Sequence, residues 1–231
     1  MMNQDWRDLT FLHWAVDPDR VAPLLHEGVR PDVLDGATYV GLIPFRMVGA
    51  GVGRGPGVPW LGTFLETNVR LYSVDVTGRR GIVFLSLDSD RALVVAGART
   101  VFGLPYRWAR MRHEAVPGDA GDVHTYEARL RGPGRGRSRI RVRVGAPRTA
   151  TELDEFVSAR WGLHVRRRHR THYIANSHEP WPLHDAEVLQ LDDGLRASVG
   201  LGELADRPPD HVAFSPGVHT VFGLPDRGLG R

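Results

Sequence analysis

The sequence contains no cysteine and no lysine. Without cysteine there is no disulfide and no cysteine-ligated zinc, and a reducing, cytoplasmic setting is the expectation. Without lysine, all 30 fixed side-chain cations are arginines. A guanidinium stays protonated and is a poor nucleophile. No side chain here can therefore form a Schiff base with a carbonyl compound. No apolar run reaches the length of about 18 residues that a membrane-spanning helix needs. Residues 1–8 are polar and mixed in charge, unlike a secretory leader. No H-E-x-x-H helix motif and no G-x-S-x-G elbow occur, so neither a zincin-type metal site nor an α/β-hydrolase serine is predicted. No metal and no cofactor are expected.

Hydrophobic residues make up 42% and charged residues 25% of the 231 positions, a balance that supports a packed core rather than disorder. Residues 9–16 read as a strand, and residues 17–25 as a short helix with Asp17 as N-cap and Pro18 in the first turn. Residues 37–48 read as a strand in which Pro44 marks an edge or a bulge. A loop with glycine at every second position follows over residues 49–57. No helix follows that loop, so it is not a dinucleotide fingerprint.

Residues 63–76 and 81–87 read as strands joined by a turn at 77–80. The period then changes, and residues 88–102 suit a helix capped by Asp88, Ser89 or Asp90 and ended by Gly103. Strands are predicted at 106–115, 123–131 and 139–144, the last two joined by a hairpin loop at 132–136. A capped helix is predicted at 151–161. Further strands are predicted at 163–177, 186–191 and 211–215, with a loop tail after them. Many strands with a few short helices argue an α+β fold on antiparallel sheet. No composition break marks a linker, so one domain over residues 1–231 is expected.

The hexapeptide TVFGLP occurs twice, at 100–105 and 220–225. The match does not extend on either side, so it is not a duplicated unit. The first copy continues as YRWARM, and its surroundings carry a resemblance. The segments LHWAV (12–16), YVGLIPFRM (39–47), FLETNVRLY (64–72), VFLSLDSD (83–90), ARTVFGLPYRWARM (98–111), PWPLHDAEV (180–188) and FSPGV (214–218) resemble, in order, the YqjF-like family of uncharacterised proteins. That family looks like a branch of the acetoacetate decarboxylase-like superfamily. The resemblance implies a mostly antiparallel β-barrel or cone with a few short helices around a small-molecule cavity.

Acetoacetate decarboxylases carry two adjacent lysines after a Gly-aromatic-Pro turn, the first of which forms the Schiff base. The resemblance puts Tyr106 in the nucleophile's place and Arg107 in its neighbour's, and it puts Glu66 near the family's strand carboxylate. Imine chemistry is thereby excluded. What the resemblance leaves is acid–base chemistry by Glu66 and Tyr106 on a keto or carboxylate compound, of lyase or isomerase type. Arg107, Arg46, Arg70 and His13 are the candidate ligand-binding residues. Phe64, Glu66, Asn68 and Arg70 share one strand face by alternation. A non-catalytic ligand-binding or sensing protein is the alternative.

Arginine-rich stretches at 129–143 and 166–170 raise nucleic-acid association. Arg139, Arg141 and Arg143 alternate with Ile140, Val142 and Val144, which reads first as the solvated face of a half-buried sheet. A nucleic-acid partner is therefore placed behind a small-molecule ligand. Of the 11 histidines, His169, His172, His178 and His184 are close in sequence. On one strand His169 and His172 face opposite sides, which is not a chelating arrangement. A homo-oligomer is compatible with everything above.

Overall fold

A computed structural model describes residues 2–228, apart from 54, 56, 133–135, 168 and 227. The predicted hairpin tip around Arg135, and Arg168 of the second arginine cluster, lie outside the described residues. Twelve strands form one sheet: β1 Met2–Val16, β2 Val29–Pro31, β3 Thr38–Val52, β4 Phe64–Asp75, β5 Arg80–Ser89, β6 Tyr106–Val116, β7 Val123–Leu130, β8 Arg137–Arg148, β9 Gly162–Arg167, β10 Arg170–His178, β11 Leu183–Asp193 and β12 His211–Pro225. Among the described residues three short α-helices accompany it, α1 Pro18–Val21, α2 Ala92–Phe102 and α3 Glu152–Ser158, with single 3-10 turns at Ala22–Leu24, Ala197–Val199 and Gly202–Leu204. No helix among the described residues is long and apolar enough to cross a membrane.

The sheet closes on itself twice. The pairing of β5 with β4 closes a nine-strand circuit through β6, β7, β8, β11, β12, β1 and β3. The pairing of β10 with β12 closes a second circuit of seven strands, through β9, β5, β4, β3 and β1. Strands β12, β1, β3, β4 and β5 belong to both, so their two faces look into two different interiors. Alternation along β4 makes the division explicit. Val69 and Leu71 pack with Leu12, Trp14, Leu42, Ala109, Ile140 and Val142 inside the nine-strand circuit. Tyr72, one position out of phase, packs with Ile82, Phe156, Val157, Leu163 and Ile174 on the other side. Helix α3 fills that second interior with Phe156 and Val157.

Several local predictions need correction. Residues 163–177 form a hairpin rather than one strand, with His169 in the turn at φ 66°. The predicted tail is the long strand β12, which pairs with β1 from Phe222 to His211. Asp88 and Ser89 extend β5, and Arg91 takes the α2 N-cap position without a side-chain cap. The sheet wins these residues because β5 gains pairing on both edges there, with β4 and with β6. Other signals hold. Asp17 caps α1, Thr151 and Asp154 form a reciprocal capping box on α3, and Gly103 ends α2 in the left-handed region at φ 68°. Pro44 sits where the β1–β3 register is interrupted, between Arg7 and Leu12.

Candidate functional site

The site follows from register. Strand β4 pairs Glu66 with Ser89 and Asn68 with Leu87 of β5. Strand β6 runs parallel to β5 and pairs Tyr106 with Leu87. Paired residues point to the same side, so Glu66, Asn68 and Tyr106 share the face of the seven-strand interior. Tyr106 Oη donates to Glu66 Oε2 at 2.7 Å. Both residues are buried, and Val95 of α2 packs on Tyr106 and Leu87.

Burial pushes the Glu66 carboxyl up to about 7, against hydrogen bonds from Tyr106 and Asn68 that pull it down. Burial, with Glu66 beside it, pushes the Tyr106 phenol well above its ordinary value, so it stays a donor. Glu66 has no cationic partner among the described residues. Asn68 Oδ1 is buried without a hydrogen-bond partner among the described residues.

Arg70 lies further along the same face and is almost fully buried. Its Nε donates to Tyr72 Oη at 3.0 Å and its Nη2 to the Val157 carbonyl at 2.9 Å. It packs against the Phe11 and Tyr72 rings. Among the described residues it forms no ion pair. A buried guanidinium held only by neutral oxygens keeps its charge uncompensated, and that attracts an anionic group.

A buried relay holds Arg70 in place. Asp154 Oδ1 meets His211 Nε2 at 2.8 Å, His211 Nδ1 meets His13 Nδ1 at 2.9 Å, and His13 Nε2 meets Tyr72 Oη at 2.6 Å. Burial pushes the Asp154 carboxyl up, but hydrogen bonds from His211 and Thr151 outweigh it and keep it an anion. Burial, then His211, Arg70 and Arg160, holds His13 well below the usual imidazole range, so it is neutral. Burial also lowers His211, against the pull of Asp154. With both rings neutral the protons have one consistent order. His211 donates to Asp154, His13 donates to His211, and His13 Nε2 is left as an acceptor for the Tyr72 hydroxyl, which also has the Val157 carbonyl within reach at 2.9 Å. The Tyr72 oxygen is then an acceptor turned to Arg70.

Gly41 makes room for this array. A Cβ there would stand 3.1 Å from Arg70 Cγ and 3.2 Å from His13 Nε2. Gly41→Val is expected to destabilise the fold by about 1–3 kcal/mol through overpacking, measured by urea unfolding.

The structure thus brings Glu66 and Tyr106 into contact and places Arg70 further along the same face, with His13 behind it. It separates Arg107 and Arg46 from them. Each follows a site-facing residue, Tyr106 or Phe45, and successive strand residues point to opposite faces. Arg107 grips buried Asp88 at 2.5 and 2.8 Å and also bonds Ser86 and Ser198. Arg46 pairs with Asp8 at 3.2 Å, half exposed. Asn68, Tyr72, Asp154 and His211 belong to the site's structure beyond the predicted set. Tyr72 was reachable by extending the period-two pattern. Asp154 and His211 meet only through tertiary packing of α3 on β12.

A cavity of about 250 Å³ opens where the sheet forks at β5, and its lining does not include Glu66, Tyr106 or Arg70. Strand β9 pairs with β5 at Ile82, and β6 pairs with it from Leu87 onward. The segment between them is left without a neighbour on that edge. Phe84, Leu104, Pro105, His26 and His164 line the opening, and Phe84 and Leu104 also pack on the Tyr106 cluster. Among the described residues no cluster of three histidines or acids is placed to hold a metal ion.

Residues 3–219 match the family DUF2071, described as an uncharacterised conserved protein. The chain is 34% identical over 190 residues to the uncharacterised protein YqjF of Bacillus subtilis (strain 168), covering 81% of this chain and 77% of that protein. Its fold is similar to an acetoacetate decarboxylase-like enzyme from Sphingomonas wittichii RW1, with a TM-score of 0.68 at 13% identity over 99% of this chain and 94% of the other. It is also similar to the enduracididine biosynthesis enzyme MppR complexed with pyruvate, with a TM-score of 0.58 at 16% identity over 96% and 87% of the two chains. At these identities the structural likeness establishes the acetoacetate decarboxylase-like fold.

Proposed function

We propose, on the premise that this chain belongs to the DUF2071 family of uncharacterised conserved proteins, that it binds a small keto or carboxylate compound and moves a proton on it without a covalent imine. The carrying observation is the buried Tyr106–Glu66 hydrogen bond at 2.7 Å, with the carboxyl raised to about 7. Near neutral pH such a carboxyl exists in both forms, which is what a general acid–base group requires. As carboxylate, Glu66 removes a proton from the carbon next to a carbonyl. Tyr106, still protonated, donates to the enolate oxygen that develops. Arg70 holds the ligand's carboxylate. Enolisation and dehydration of a β-hydroxy carbonyl compound begin this way; in a retro-aldol cleavage the same carboxylate takes the β-hydroxyl proton, and Tyr106 donates to the enolate oxygen formed as the C–C bond breaks.

One fact favours this reading over binding without chemistry, and a second supports the ligand class. Among the described residues no arginine neutralises Glu66, as one would a purely structural or binding carboxylate. The MppR complex, on a similar fold, holds pyruvate, a small keto acid of the proposed ligand class.

Proton exchange at the carbon next to the carbonyl of pyruvate or acetoacetate, followed by ¹H NMR in D₂O, tests the proposal. The protein is expected to accelerate exchange, and Glu66→Gln to slow it by about 100-fold or more. Borohydride added during turnover is expected to leave the protein mass unchanged. Exchange that survives Glu66→Gln, or a side-chain adduct, overturns the proposal.

A further inference from the structure

The outer wall made by β6, β7 and β8 carries a row of arginines that register makes explicit. Arg110 pairs with Arg129, and Arg129 with Arg137. All three are exposed. Neighbouring strands lie about 4.8 Å apart, so three arginine positions cross the wall in a line of roughly 10 Å. Among the described residues none of them forms an ion pair. Like charges directly opposed on adjacent strands destabilise a sheet.

The remainder of the wall shows how such charges are otherwise answered. Arg139 pairs with Glu127 at 2.7 Å and stands opposite Asp192. Arg112 pairs with Glu114 at 3.3 Å, and Arg143 pairs with Glu187. Apart from Arg141, which forms no ion pair among the described residues, the wall therefore divides into a neutralised band and an uncompensated row at the β7–β8 end. Beyond the row, Arg131 lies over the ring of half-exposed Trp108 at 4.5 Å.

We propose that this row is a docking surface for single-stranded nucleic acid, whose phosphodiester chain lies along Arg110, Arg129 and Arg137. Guanidiniums bind phosphate oxygens bidentately. Their arrangement in a line, not a cup, suits a chain of charges better than one compact anion. The adjacent acids Glu127, Glu114, Glu187 and Asp192 disfavour a broad anionic plane such as a lipid surface. A narrow strand laid along the row avoids them. Trp108, with Arg131 on its ring, offers a stacking group at the row's end.

Fluorescence anisotropy of a dye-labelled oligo(dT), titrated against salt with the full-length protein, tests this. Three phosphate contacts predict a slope of log K against log salt concentration of about −2. The triple variant Arg110→Gln, Arg129→Gln, Arg137→Gln is expected to lose about tenfold or more in affinity at low salt and to flatten the slope. The triple variant Arg139→Gln, Arg141→Gln, Arg143→Gln changes net charge equally on the same wall and is expected to retain binding. Equal loss in both variants overturns the assignment to the row, as does absence of oligo(dT) binding. So does tighter binding of inorganic pyrophosphate or of phosphatidylglycerol vesicles than of oligo(dT).

Discussion

Glu66→Gln is expected to leave stability unchanged below pH 4.5 and to raise it above pH 7. The Glu66 carboxyl has an ordinary value of 4.5 and is raised to about 7 in the folded chain, foremost by burial. Below 4.5 it is protonated folded and unfolded, and it carries no penalty. Between the two values the unfolded chain loses the proton while the folded chain retains it, so stability falls as pH rises. Above about 7 the folded protein must hold a buried, unpaired carboxylate. A rise from 4.5 to about 7 corresponds to about 3 kcal/mol of lost stability. Glutamine has nearly the same shape, still accepts from Tyr106, and never ionises. Urea unfolding of the two proteins across this range isolates the difference. A variant less stable than its parent at alkaline pH would show that the Glu66 carboxylate is compensated by a partner. A residue that costs stability in its ionised form is one expected to be retained for chemistry.

Arg107→Ala is expected to be among the most damaging single changes in the chain. Asp88 is fully buried, and Arg107 holds both of its oxygens. Burial pushes the Asp88 carboxyl up, and only the guanidinium opposes that with a charge. Removing one partner of a buried pair costs about 3–5 kcal/mol, because the other charge is left uncompensated. For a chain of this size that lowers Tm by on the order of 10 °C. Adding Asp88→Asn to Arg107→Ala should recover part of the loss, the coupling expected of residues in contact. Thermal unfolding of the two single variants and the double variant checks it. A normal Tm for Arg107→Ala would place this arginine outside the fold's framework and return it to the ligand.

The two residues after the FGLP turn therefore have different roles. Tyr106 belongs to the Glu66 face, and Arg107 ties β6 to β5 from behind. Alternation along a strand is legible in the sequence, and it gathered Glu66, Asn68 and Arg70 correctly. The separation of Tyr106 from Arg107 follows from the same rule, once residues 106 and 107 are known to lie in a strand. The resemblance to paired lysines obscured it, because adjacency in a motif is not convergence in space.

Other features had no local signal. TVFGLP ends helix α2 at 100–105, with Gly103 in the left-handed region, and lies in β12 at 220–225. Identical residues take two conformations because the second copy pairs with β1 and β10, and tertiary pairing overrides propensity. The β9–β10 turn contains no glycine, and His169 adopts the positive φ that glycine or asparagine usually signals. The Asp154–His211–His13 relay joins a helix to two strands that are distant in sequence. Composition and spacing do not encode such a meeting.

The proposed chemistry requires a buried carboxyl poised near neutrality beside Tyr106. Carboxyl ¹³C NMR of glutamate-labelled protein, with the Glu66 signal assigned by its loss in Glu66→Gln, measures this directly. The predicted midpoint is about 7, moving higher in Tyr106→Phe because a hydrogen bond to the carboxylate is lost. A Glu66 signal that titrates near 4.5 in the folded protein, or does not respond to Tyr106→Phe, would contradict it.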